Sequence, residues 1–185
     1  MTNALIANRK SVFPQHFIQK AIPPSIITQV LRHAEFAPTH RITEPWRFVV
    51  FHSDSAKEHL ATFMQSDYKA NTTPDSFNTL KFEKKKEKVI RSGAVIAIVM
   101  KDVGKVPQWE EVAATAMAVQ NIWLSLSEFE LGGYWSSPKS ALENANQVID
   151  LGEDEHCMGF FYLGYYTEHE RHRVRTPIEE KIAWK

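Results

Sequence analysis

Residues 94–100, Ala-Val-Ile-Ala-Ile-Val-Met, form an unbroken apolar run. A strand reads this way when both of its faces are covered, because alternate side chains point to opposite sides and neither side meets water. Trp46 to His52 is rich in aromatic and β-branched residues and predicts a second strand, and Cys157 to Leu163 a third, with Gly159 and Gly164 near its ends. Other stretches carry the helical period. After Pro23-Pro24-Ser25, residues Ile27, Val30, Leu31 and Ala34 fall at i, i+3, i+4 and i+7. Thr2 suits the cap of a short first helix to about Asn8, and Ser53 or Asp54 the cap of one running to about Gln65. Residues 67–79 are polar around Thr72-Thr73-Pro74 and predict a mobile loop; the lysine-rich residues 80–91 predict a solvated helix. From Gln108 to Leu131 the apolar positions Val112, Ala116, Met117, Val119, Ile122, Trp123, Leu126 and Phe129 surround the axis, as in a central or intersubunit helix. Gly132-Gly133 is expected to end it. Interleaved helices and strands predict an α/β or α+β class, with helices covering a sheet, in one domain spanning residues 1–185.

The composition narrows the function. The chain has 185 residues, enough for one sizeable core. Its 22 basic and 22 acidic residues cancel, so no overall field favours nucleic acid or an anionic membrane. The run Lys81 to Lys88 is interspersed with glutamate and reads as a solvated face. Cys157 is the only cysteine, which rules out an internal disulfide and favours a cytoplasmic address; its place before a core strand suggests a buried, inert thiol. No apolar run approaches the roughly 20 residues of a transmembrane helix, and Met1 to Ser11 lacks a signal-peptide core. His169 and His172 are three apart but have no evident third partner, so no metal site is expected. Neither a Gly-x-Gly-x-x-Gly nor a Walker motif occurs, so a nicotinamide would have no dinucleotide-binding domain of its own.

Three segments carry candidate chemistry. Arg9-Lys10-Ser11 combines a planar guanidinium fork, an ammonium and a hydroxyl, a set suited to phosphate oxygens; basic residues near a helix end also offset the macrodipole. Ala37-Pro38-Thr39-His40-Arg41-Ile42-Thr43-Glu44-Pro45-Trp46 is a proline-shaped loop feeding a strand. Near the C-terminus, Arg173-Val174-Arg175-Thr176-Pro177-Ile178-Glu179-Glu180 is a second basic segment. These segments, in this order, resemble the nitroreductase family of FMN-dependent oxidoreductases. The loop is similar to that family's Ala-Pro-Ser-x-x-Asn-x-Gln-Pro-Trp, with Thr39 in place of Ser, Ile42 in place of Asn and Glu44 in place of Gln. Gln120-Asn121 resembles a recurrent pair on the matching helix, and Arg175 to Glu180 resembles Arg-Lys-Pro-Leu-Glu-Glu.

The resemblance spans essentially the whole chain. It implies an α+β fold, a mixed sheet flanked by helices, in an intertwined homodimer with FMN at each of two subunit interfaces. It implies that Arg9, Lys10, Ser11, Arg173 and Arg175 address the FMN phosphate. Thr39 and His40 would face the flavin ring, with His40 meeting the edge that Ile42 cannot. The backbone of Trp135, Ser136 and Ser137 would approach N5, where glycines 132 and 133 allow close access; a plain helix stop and turn is the competing reading. NADH or NADPH would deliver hydride to N5, with no side chain needed as acid or base. A nitroaromatic, quinone or similar small acceptor would then take its place. A specialised flavoenzyme for one metabolite (flavin or halogenated aromatic chemistry) and a non-catalytic flavin-binding protein are the alternatives.

Overall fold

The computed structural model describes residues 2–167 and 175–185. Arg173 and the His169 to His172 stretch lie outside the described residues. Among the described residues, six α-helices, α1 (Thr2–Asn8), α2 (Pro24–Arg32), α3 (Asp54–Ala70), α4 (Thr79–Arg91), α5 (Gln108–Ser125) and α6 (Lys139–Glu143), accompany four strands. These are β1 (Trp46–Phe51), β2 (Ala94–Lys101), β3 (Leu131–Ser136) and β4 (Glu155–Tyr165), in the spatial order β1-β2-β4-β3. Every neighbouring pair is antiparallel. Where a mixed sheet was expected, parallel pairing among the described residues is confined to a bridge from Ser11 to Gly133.

β2 shows why this sheet is buried on both sides. Val95, Ala97 and Val99 point into one core, with Leu60, Phe63, Met64, Val89, Phe160 and Tyr162. Ala94, Ile96 and Ile98 point into the other, with Ile27, Val30, Ala34, Ala118, Ile122 and Phe161. The period of two divides the apolar run between the layer of α3, α4 and α6 and the layer of α2 and α5. Each large side chain so enclosed contributes about 1.5–3 kcal/mol from burial.

Local signals set the element ends. The Ser53 hydroxyl accepts from the Ala56 N–H and caps α3. That helix continues five residues beyond the expected Gln65, into the segment expected to be a mobile loop. Asp67, on its last turns, is buried and accepts from Ser140 Oγ at 2.6 Å and from Asn144 and Asn71 Nδ2 at 3.0 Å each. A tertiary anchor for a buried carboxylate thus overrides the local polarity. A short turn at Pro74–Ser76 then leads directly to α4.

α5 ends at Ser125, six residues before the expected stop, and gives way to a tighter turn over Leu126–Phe129. Glu130 terminates it with φ 56°, not Gly132-Gly133. Those glycines lie inside β3, so the segment expected as a turn is an edge strand. In β4 the register shifts between the partners of Ile98 and Val99, at Met158. The shift leaves the Met158 carbonyl to accept from the Trp135 indole at 3.2 Å. Gly159, at φ 151°, makes room: a Cβ there would lie 1.9 Å from Trp135 Nε1.

Candidate functional site

Arg9, Lys10 and Ser11 leave α1 and run along the open edge of β3. Ser11 bridges Gly133, and the Val12 N–H donates to the Gly133 carbonyl at 2.9 Å. The Trp123 indole, from α5, donates to the Lys10 carbonyl at 3.2 Å. The Arg9 guanidinium lies 4.7 Å over the Trp123 ring, and the Lys10 ammonium 5.3 Å over the Tyr166 ring. Arg9, Lys10, Trp123, Gly132, Gly133 and Tyr166 are among the residues lining a cleft of about 280 Å³. Neither glycine has room for a side chain. A Cβ on Gly132 would meet Val12 at 2.7 Å, and one on Gly133 would meet Leu126 and Phe161 at 2.6 Å.

Trp135 and Ser136 continue the same edge strand, paired with Phe161 and Phe160, and Ser137 is exposed just beyond it. The Arg9–Ser11 segment and the Trp135–Ser137 segment therefore share one side of the fold. Cys157, buried in β4, has its thiol pushed up to about 11 by burial, which keeps it protonated and unreactive near neutrality.

The proline-shaped loop is strained and pinned. Arg41 (φ 54°), Ile42 (φ 53°) and Glu44 (φ 44°) occupy the left-handed region without being glycine. Such residues cost on the order of 1–3 kcal/mol each, so surrounding contacts must hold them. Thr39 Oγ1 accepts from the Glu44 N–H at 3.2 Å and shares a hydrogen bond with Thr43 Oγ1 at 2.8 Å. Thr43 Oγ1 in turn donates to Glu111 Oε2 at 2.7 Å. His40 Nδ1 pairs with Glu110 Oε2 at 2.5 Å, and Arg41 Nη1 donates to the Lys105 carbonyl at 3.2 Å. All of these anchors but the Thr39 pair lie in or just before the first turn of α5. Glu110 and Glu111 were not singled out in the sequence, although carboxylates at the start of an otherwise apolar helix were a usable signal. Glu111 is 1% exposed, and its Oε1 has no partner among the described residues.

The structure does not bring the two clusters together within the single chain. The loop rests on Glu110 and the basic segment on Trp123, 13 residues further along α5. That separation is about 20 Å of helix at 1.5 Å per residue. The single chain also exposes large apolar side chains: Phe36 is 77% exposed, Ile42 81% and Trp109 69%. α5 was expected to be a central or intersubunit helix; in the single chain Trp109 and Met117 face outward. Arg175 lies in the exposed tail 175–185, whose Trp184 is 91% exposed. Among the described residues no helix is long and apolar enough to cross a membrane.

The nitroreductase family model matches residues 6–165. The chain belongs to the nitroreductase family. This is a family of oxidoreductases, and the match covers both the basic segment and the loop. The Bacillus subtilis protein named "Putative NAD(P)H nitroreductase YfhC" is 28% identical over 181 residues, 97% of this chain and 91% of that one. Among solved structures, a nitroreductase-like family protein from Bacillus cereus superposes with a TM-score of 0.80 at 23% identity, covering 100% of this chain and 95% of that one. A Desulfovibrio desulfuricans protein crystallised with FMN superposes at 0.75 with 18% identity, covering 99% and 95%. These neighbours share the α+β fold expected from the sequence.

Proposed function

We propose that this family member is an FMN-dependent oxidoreductase that carries reducing equivalents from NADH or NADPH to a small acceptor such as a nitroaromatic or quinone. When bound, FMN supplies the hydride chemistry at N5, and the chain's own residues bind, orient and enclose it. The observation that carries this reading is the placement of Arg9, Lys10 and Ser11 along the open edge of β3. A guanidinium fork and an ammonium on one cleft, with a hydroxyl next in the chain, suit a terminal phosphate. Trp123 and Tyr166 lie beneath the two cations and limit their freedom, which lowers the entropy cost of binding. Arg173 and Arg175 add charge to the same phosphate, Thr39 and His40 face the ring edge, and the Trp135–Ser137 backbone faces the reactive side. The name of the relative YfhC and the FMN complex of the Desulfovibrio neighbour support the choice of cofactors.

The whole of residues 1–185 acts as one domain, and the site is completed across a homodimer. The loop of one protomer faces the basic segment of the other, because the two lie about 20 Å apart along α5 within a single chain. The exposed Phe36, Ile42, Trp109 and C-terminal tail supply the apolar contact surface. The setting is cytoplasmic.

Heat release and chromatography of the chromophore test the cofactor, and recovery of FAD or of no flavin refutes it. Steady-state kinetics test the shared site: parallel double-reciprocal lines are expected, with excess acceptor competing against NAD(P)H. Intersecting lines would contradict it. A panel of acceptors separates a broad reductase from an enzyme dedicated to one metabolite, which would reduce one compound far faster than the rest.

A further inference from the structure

We infer that Glu110 is a positioning residue that fixes the tautomer of His40, so that His40 Nε2 is presented as a hydrogen-bond acceptor for a ring N–H of the ligand. The inference rests on the FMN reading and deepens it, by naming the atom of the ring edge that the loop recognises. Glu110 Oε2 lies 2.5 Å from His40 Nδ1. An ionised carboxylate only accepts, so Nδ1 must carry the hydrogen, and in the neutral ring Nε2 is then a bare acceptor. The imidazole remains 58% exposed while Glu110 is 21% exposed, so one ring nitrogen is held and the ring is still open to a ligand.

The pairing does not depend on an exposed ion pair alone, which would be weak. Thr43 donates to the buried Glu111, and Arg41 to the Lys105 carbonyl, so the loop is fastened at two further points within three residues after His40. Glu111 is costly in a core, and among the described residues the hydrogen bond to its carboxylate comes from the loop, from Thr43. Consecutive carboxylates thus divide the work: Glu111 holds the Thr43 side chain and Glu110 aims the ring. A cyclic imide presents one N–H between two carbonyls, and an Nε2 acceptor selects that N–H. Ile42, at the position where the family's Asn would stand, has no polar side-chain atom to do so.

Two measurements test this. In the flavin-free protein, nitrogen NMR of the neutral His40 ring should show hydrogen on Nδ1 in the wild type, and a mixed or reversed tautomer in Glu110→Gln. In titrations, the wild type should bind FMN at least tenfold more tightly than FMN methylated at the imide nitrogen. Glu110→Gln and His40→Ala should each bring that ratio near one, with folding checked by an unchanged circular dichroism spectrum. Hydrogen on Nε2 in the wild type overturns the inference, as does flavin binding that ignores the methyl group. A protein that binds no flavin at all refutes the functional reading itself, and the ring-edge contact with it.

Discussion

The clip between Arg47 and Glu155 gives a stability prediction that can be worked from the structure. Arg47, at the start of β1 where the His40 loop ends, donates from Nε to Glu155 Oε1 at 2.8 Å and from Nη2 to Oε2 at 2.5 Å. Its Nη2 also reaches the Asp150 carbonyl at 2.8 Å, and the Gly152 N–H donates to Glu155 at 3.0 Å. The hydrogen bonds from Arg47 chiefly, and that from Gly152, hold the Glu155 carboxyl at about 2 against an ordinary 4.5. The full shift corresponds to about 3.4 kcal/mol at 1.36 kcal/mol per unit. The Arg47 side chain is 40% exposed, so solvent screening reduces this to about 1–2 kcal/mol. The folded-state value lies below the unfolded one, so the stabilisation is complete above pH 4.5 and is lost as the pH falls towards 2. Glu155→Gln should therefore cost about 1–2 kcal/mol in urea unfolding at pH 7. The gap between the variant and the wild type should shrink to about a quarter of that near pH 2.5. A gap that stays constant across that range would refute the assignment of the shift to this clip.

Gly159→Ala places a Cβ 1.9 Å from Trp135 Nε1 at φ 151°, and should destabilise by about 3 kcal/mol or more, with a shifted tryptophan emission as the indole leaves the Met158 carbonyl. Arg9→Ala should weaken FMN binding by roughly 1.5–3 kcal/mol and Ser11→Ala by about 1 kcal/mol in fluorescence titrations; unchanged affinity in both would dismiss the phosphate site. Sedimentation should show a dimer, and Trp109→Glu, which puts a charge on an exposed apolar face, should yield monomers with lowered flavin affinity. A stable wild-type monomer that still holds FMN would exclude the shared site.

Much of the scaffold was legible because its signals are local. The seven-residue run in β2, the helical spacing of Ile27, Val30 and Ala34, and the Ser53 cap each name an element without tertiary context. Arg9-Lys10-Ser11 and the loop around His40 could be marked as candidates from residue type and order. What the sequence concealed depended on partners distant in the chain. Residues 67–70 are helical because Ser140 and Asn144 hold Asp67. Gly132 and Gly133 belong to a strand because Val12, Leu126 and Phe161 fill the space their side chains would need. Glu110 and Glu111 acquire a role only once the loop is seen folded on the first turn of α5, about 70 residues later in the chain.

The central claim is that this chain passes electrons from a nicotinamide to a small acceptor through bound FMN. The most direct measurement is anaerobic titration of the purified protein with NADPH or NADH, followed by addition of a quinone, with the oxidised flavin absorbance monitored throughout. The account predicts stoichiometric bleaching by the nicotinamide, recovery of the colour on adding the quinone, and one FMN per protomer. A bound flavin that stays oxidised in excess NADPH and NADH, while a chemical reductant bleaches it, would contradict the claim.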